Sequence, residues 1–190
     1  MNMQKYVSNQ RGRSMIEMLG VLAIVGVLSV AGIAGYSKAM AKYKTNKVMD
    51  QINSIATNVR TIFSAQGNYK GLDTKTAYNL GIYPEEMAKD CTNSSCSPKH
   101  AFGGSINLSG NGDVFNISIF NISKESCAAL VTADWGSASN MSAIMGFNDK
   151  LATKYYTYAQ IKASSIISIS SDICVCSSME NKCGIMFYFK

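Results

Sequence analysis

GRSMIEMLGVLAIVGVLSVAGIAGY, residues 12–36, sets one glutamate, Glu17, at the front of an apolar run. From Met18 to Ser37 there are 20 residues without a charge, enough to cross a hydrocarbon core as a helix. A charge at the centre of a bilayer costs about 2.5–3.5 kcal/mol on insertion scales, so Glu17 is a functional-site candidate. Three readings compete. A secretory signal peptide would use Arg13 as its basic region and the small residues near Ser29, Ala31 and Ala34 as its cut. Glu17 inside the apolar core, and a helical pattern that runs past that cut, argue against it. An ordinary single-pass anchor gives Glu17 no role. A cut after Gly12 would instead expose the amine of Arg13 four residues before Glu17.

The run from Gly12 through Arg13, Ser14, Met15 and Ile16 to Glu17, followed by the apolar stretch, resembles the leader junction of type IV prepilins and pseudopilins. The resemblance implies cleavage after Gly12 by a prepilin peptidase, methylation of the new N-terminus, and Glu17 as fifth residue of the mature chain. The family usually begins with phenylalanine, methionine or another apolar residue; here Arg13 takes that place. It also implies why an acid is carried into lipid. When subunits stagger in a filament, the N-terminal amine of one copy meets Glu17 of the next, and pairing relieves the cost of a buried charge. Arg13 and Glu17 are also at i, i+4, so the guanidinium is placed to neutralise Glu17 within one chain, or merely to anchor at the headgroups.

Composition points the same way. Of 190 residues 47% are apolar and 16% charged, with a net charge of +6. The six cysteines, Cys91, Cys96, Cys127, Cys174, Cys176 and Cys183, all follow residue 90. An even set confined to the polar half indicates disulfides in an oxidising compartment. The spacings C-x4-C, C-x-C and C-x6-C, with His100 the lone histidine, fit zinc poorly. The positive-inside rule does not decide topology, because Lys38, Lys42, Lys44 and Lys47 follow the span as closely as Lys5, Arg11 and Arg13 precede it. The cysteines place the C-terminal part outside the cytoplasm. No dense basic stripe predicts a specific nucleic-acid partner. The four lysines after the span suit a solvated helix face, lipid headgroups or acids on a neighbouring chain.

Val48, Ile52, Ile55, Val59, Ile62 and Phe63 recur at three- and four-residue steps, the stripe of an amphipathic helix that would pack under the C-terminal domain. Gly67 would close it. The helix, about Ser14 to Gln66, would be roughly 80 Å long. Gly20, Gly26, Gly32 and Gly35 suit close helix packing in its first half. TAYNLGIYPEEMAKD, residues 76–90, predicts a helix ending near Gly81 and a turn through Pro84, and resembles the segment after the long helix in type IVb pilins. Asn111-Gly112 between Ile106, Leu108 and Phe115, Ile117, Ile119 predicts a hairpin. A phosphate loop at Gly103, Gly104, Gly110 and Gly112 is excluded by the absence of a following Lys-Ser/Thr. SKESCAALVTADWG, from Ser123, predicts a short helix capped by Ser123 with Cys127 and Leu130 inward. Residues 164–170 and 184–189 read as the remaining strands, the last one central. Six cysteines allow 15 pairings. The type IVb resemblance implies that Cys127 bonds a cysteine near the last strand; the expectation is Cys127 to Cys174 or Cys176, with Cys183 taking the remainder and Cys91 and Cys96, close in sequence, closing a small loop. The sequons at Asn93, Asn107, Asn116, Asn121 and Asn140 receive no function. His100 in a loop, and Glu85 and Glu86 in a polar turn, make no catalytic or metal constellation, and no cofactor is expected.

The expectation is an α+β fold: a long N-terminal helix, membrane-spanning in its first half, packed on an antiparallel β-sheet head with disulfides. Its parts would be leader 1–12, polymerisation helix 13–37, amphipathic helix 38–66 and head 67–190. The resemblance implies a non-enzymatic structural subunit of a type IV pilus. Its partners would be further copies in a helical filament, a prepilin peptidase and the pilus assembly machinery of a bacterial inner membrane. It would reside in that membrane before assembly and in an extracellular pilus afterwards. The alternatives are a minor pilin or type II secretion pseudopilin, a monomeric membrane-anchored adhesin, and a secreted protein cut near Ala31.

Overall fold

A computed structural model describes residues 15–92, 95–135, 140–148, 152–164, 166–177 and 182–190. The expected leader, Gly12, Arg13 and the sequon at Asn93 lie outside the described residues. The chain forms two compact units that divide after Met40.

Helix α1, Met15–Phe63, is continuous through that division. In the second unit it buries Thr45, Val48, Gln51, Ile52, Ile55, Ala56, Val59 and Phe63. This is the expected stripe with one exception: Ile62 is 40% exposed, and Ala56 and Gln51 complete the buried face instead. The helix ends as the amides of Gln66 and Gly67 donate to Phe63 O (3.0 and 3.2 Å), with Gly67 at φ 69°. A left-handed residue closes orphan carbonyls at little cost only when it is glycine.

Helix α2, Thr74–Asn79, starts on Asp73, whose carboxylate accepts from Thr76 N at 2.6 Å. It stops in a Schellman motif: Ile82 N donates to Ala77 O, Gly81 N to Tyr78 O, and Ile82 is fully buried. Strands β1 (Ile106–Asn111) and β2 (Val114–Ser123) form the expected hairpin, one residue later than Asn111-Gly112 suggested. Asn111 pairs with Val114, so Gly112 and Asp113 make the turn, and Gly112 at φ 58° takes the position a II′ turn reserves for glycine. Ser123 caps α3, Lys124–Val131, with its hydroxyl accepting from Ser126 N.

The remaining elements are β3 (Met141–Phe147), β4 (Ala152–Thr157), α4 (Tyr158–Ala163), α5 (Ile166–Ile173) and β5 (Lys182–Phe189). The expected strand over 164–170 is therefore wrong. From Ile166 it is helical, and Ile169 and Ile173, one turn apart, are buried while Ile167 is 81% exposed. The sheet is antiparallel throughout, in the order β1-β2-β5-β3-β4. The last strand is central, as expected, and its burial is nearly continuous. One face, with Phe115, Ile117, Ile119, Ile144, Ile185, Phe187 and Phe189, meets the α1 stripe in a single core.

Candidate assembly site

The first unit is the apolar part of α1. It contains a stretch long and apolar enough to cross a membrane, and none of that stretch is buried. Every residue from Met15 to Ala39 is exposed, Leu19, Leu22, Val27 and Ile33 by 65% or more. A Cβ added at Gly20, Gly26, Gly32 or Gly35 would meet nothing within 4 Å, so these glycines lie open on the helix surface. Ser29 Oγ donates to Val25 O (2.7 Å) and Ser37 Oγ to Ile33 O (2.9 Å), so both hydroxyls are satisfied within the helix. Glu17, in the first turn, is exposed.

The second unit is locked onto its share of α1 by polar clamps that sequence patterning did not reveal. Gln51 is buried; its Nε2 donates to Glu86 Oε1 (2.8 Å) and its Oε1 accepts from Ala101 N (3.1 Å). Lys47 Nζ reaches Glu86 Oε2 at 2.9 Å. Glu86 is thus held by two partners, which keep its carboxyl below the usual carboxylate range; it is not the merely solvated acid expected of a polar turn. Asn58 Nδ2 donates to Ile82 O at 2.9 Å. Arg60 donates from Nε to Lys190 O, and its guanidinium lies 5.7 and 5.6 Å from the ring centres of Phe115 and Phe189.

His100 also departs from expectation. It is 3% exposed, with Nε2 2.8 Å from Phe120 O and Nδ1 accepting from Phe102 N. Those partners specify the neutral tautomer protonated on Nε2, and burial pulls its pKa below the ordinary histidine value. The ring ties the 98–104 loop to β2. Among the described residues no group of three or more His, Cys, Asp and Glu is arranged to hold a metal.

Three disulfides close the head: Cys91–Cys96, Cys127–Cys174 and Cys176–Cys183. Of the two partners left open for Cys127, the structure takes Cys174, which joins α3 to the residue after α5 through sulfurs buried in the core. Cys176–Cys183 then ties the next segment to β5.

The sequence matches the bundlin family over residues 37–182. It is 22% identical over 186 residues to proteins described as the major structural subunit of bundle-forming pilus in Escherichia coli O111:H- and Escherichia coli O127:H6, covering 95% of each chain. Its structure is similar to that of TcpA, a type IV pilin from Vibrio cholerae El Tor biotype, with a TM-score of 0.53 and 16% identity over 78% of this chain and 99% of TcpA. The apolar helix, the stapled sheet head and the matched residues together make this chain a member of the bundlin family with the fold of a type IV pilin.

Proposed function

We propose that the chain is the repeating structural subunit of a type IVb pilus and polymerises through the apolar half of α1. The observation that carries this is a helix whose large side chains, from Met15 to Tyr36, are exposed throughout the first unit. Such a surface is stable only in lipid or among copies of itself. The relatives' description as pilus subunits supports the second environment.

The finer mechanism is part of the same proposal. A prepilin peptidase cuts after Gly12, dividing leader 1–12 from polymerisation helix 13–37, amphipathic helix 38–66 and head 67–190. The amine of Arg13, methylated, then meets Glu17 of a neighbouring copy, and the requirement to neutralise that carboxylate sets the axial register. The subunit waits in a bacterial inner membrane with its head in the oxidising compartment, and the assembly machinery moves it into an extracellular filament.

Mass spectrometry of native material tests the cut: the mature chain should begin at Arg13, and intact residues 1–12 in fibres would refute it. Glu17→Ala should leave membrane insertion intact and reduce or abolish fibres. Wild-type fibre yield from that variant would refute the pairing argument.

A further inference from the structure

A cavity of about 260 Å³ opens between the end of α3, the start of β3, and helices α4 and α5. Its floor is Trp135, Met141 and Ile169, exposed by 6%, 5% and 1%. That floor makes no polar demand, because Trp135 Nε1 already donates to Leu130 O at 3.0 Å. Tyr158 and Ile161, three residues apart on one face of α4, form a half-buried wall. The mouth is polar and lopsided. Lys162, one turn after Tyr158, holds its Nζ 4.9 Å from the centre of the Tyr158 ring. Among the described residues no carboxylate pairs with that ammonium, and the Ser164 hydroxyl beside it forms no hydrogen bond. Asp134 is the only other charge lining the cavity, and it has a partner of its own.

We propose that this cavity binds a small amphipathic anion: one aromatic ring on a short arm that ends in a carboxylate. Volume sets the size. A cavity of about 150 Å³ holds benzene, so the larger space here takes one ring and its arm. Aromatic walls select a ring over a chain. Trp135 and Tyr158 offer stacked or edge-on contacts that an alkyl group cannot make. Unused donors select the head. A lysine ammonium has three donors and no acceptor; with Asp134 engaged, the mouth carries a cation without its counter-ion. A carboxylate there gains charge-assisted hydrogen bonds from Lys162 Nζ and Ser164 Oγ. An ammonium head is repelled, and an amide gains only a weaker bond. The chain's charge of +6 also draws anions toward its surface. An apolar hollow with a few convergent polar groups is the general plan of a small-ligand site. Occupancy involves the head alone, so this activity stands apart from polymerisation through the apolar half of α1.

Titration of the full chain in detergent with hydrocinnamate tests this. Trp135 is the chain's single tryptophan, so indole emission reports the cavity floor directly. Wild type should show a saturable change in emission, with a Kd in the millimolar range or below. Hydrocinnamide, the neutral analogue, should bind about fivefold more weakly, the loss expected of one exposed ion pair. Lys162→Gln should lose the same factor toward the acid and change little toward the amide. Lys75→Gln, which removes an exposed lysine on α2, should bind as wild type. Should Lys162→Gln misfold, the comparison of acid with amide on wild type carries the reading by itself. No saturable response, equal affinity for acid and amide, or wild-type affinity for the acid in Lys162→Gln would overturn the proposal. Fibre assembly has no part in this readout, so failure here leaves the subunit reading standing.

Discussion

Replacing Cys127 and Cys174 together by alanine is the most discriminating perturbation of the head. The bridge closes a separation of 47 residues, against 5 for Cys91–Cys96 and 7 for Cys176–Cys183. None of these loops lies inside another, so the chain-entropy relation applies to each separately. It gives about 4 kcal/mol for the long loop and about 2 kcal/mol for each short one. In a chain of this size 1 kcal/mol moves the melting temperature by about 2–4 °C. The Cys127→Ala/Cys174→Ala chain should therefore melt about 8–16 °C lower than wild type, and Cys91→Ala/Cys96→Ala about 4–8 °C lower. Burial adds to the difference, since Cys127 and Cys174 are 0% and 2% exposed and their loss leaves a void under α3. The assay is circular-dichroism melting of the full chain in detergent, with all variants oxidised and thiol-titrated. Equal losses for the two double variants, or a smaller one for Cys127→Ala/Cys174→Ala, would refute the idea that loop length and core burial set the stapling.

Gln51→Leu should cost about 1–3 kcal/mol, because it leaves the amide of Ala101 without its acceptor; hydrogen exchange at that amide should accelerate. Gly104→Ala should cost about 1–3 kcal/mol by overpacking, since an added Cβ collides with Phe120 O and the His100 ring; a melting curve matching wild type would contradict the packing there. His100 supplies a pH dependence. Its folded pKa lies below the unfolded value, so the stability of its neutral, buried form is complete above about pH 6.5 and falls as pH drops toward the folded value. Melting temperature should decline with acidification through that window in wild type and more weakly in His100→Gln.

The helical half of the fold was legible because its signals are local. The three- and four-residue spacing of α1, the Ser123 cap and the Gly81 stop each lie within a few residues of what they determine. The hairpin was legible for the same reason, though Asn111-Gly112 marked its neighbourhood rather than its turn. Strands β3 and β4 were not. β3 pairs with β5, some forty residues later, and its Met, Ser, Ala and Gly carry no alternation of their own. Residues 164–170 read as a strand because isoleucine and serine fit one by composition, yet Ile169 and Ile173 keep a helical step under the Cys127–Cys174 bridge. The buried roles of Gln51 and His100 were hidden because a polar residue advertises burial only through partners distant in sequence, here Glu86, Ala101 and Phe120.

Ser29 and Ser37 give their protons to carbonyls of the preceding turn. Neither hydroxyl asks anything of its surroundings, so their hydrogen bonding stays the same whether acyl chains or sister helices enclose the segment. Under the proposed assembly, neither hydroxyl would be stranded as the helix exchanges acyl chains for sister helices.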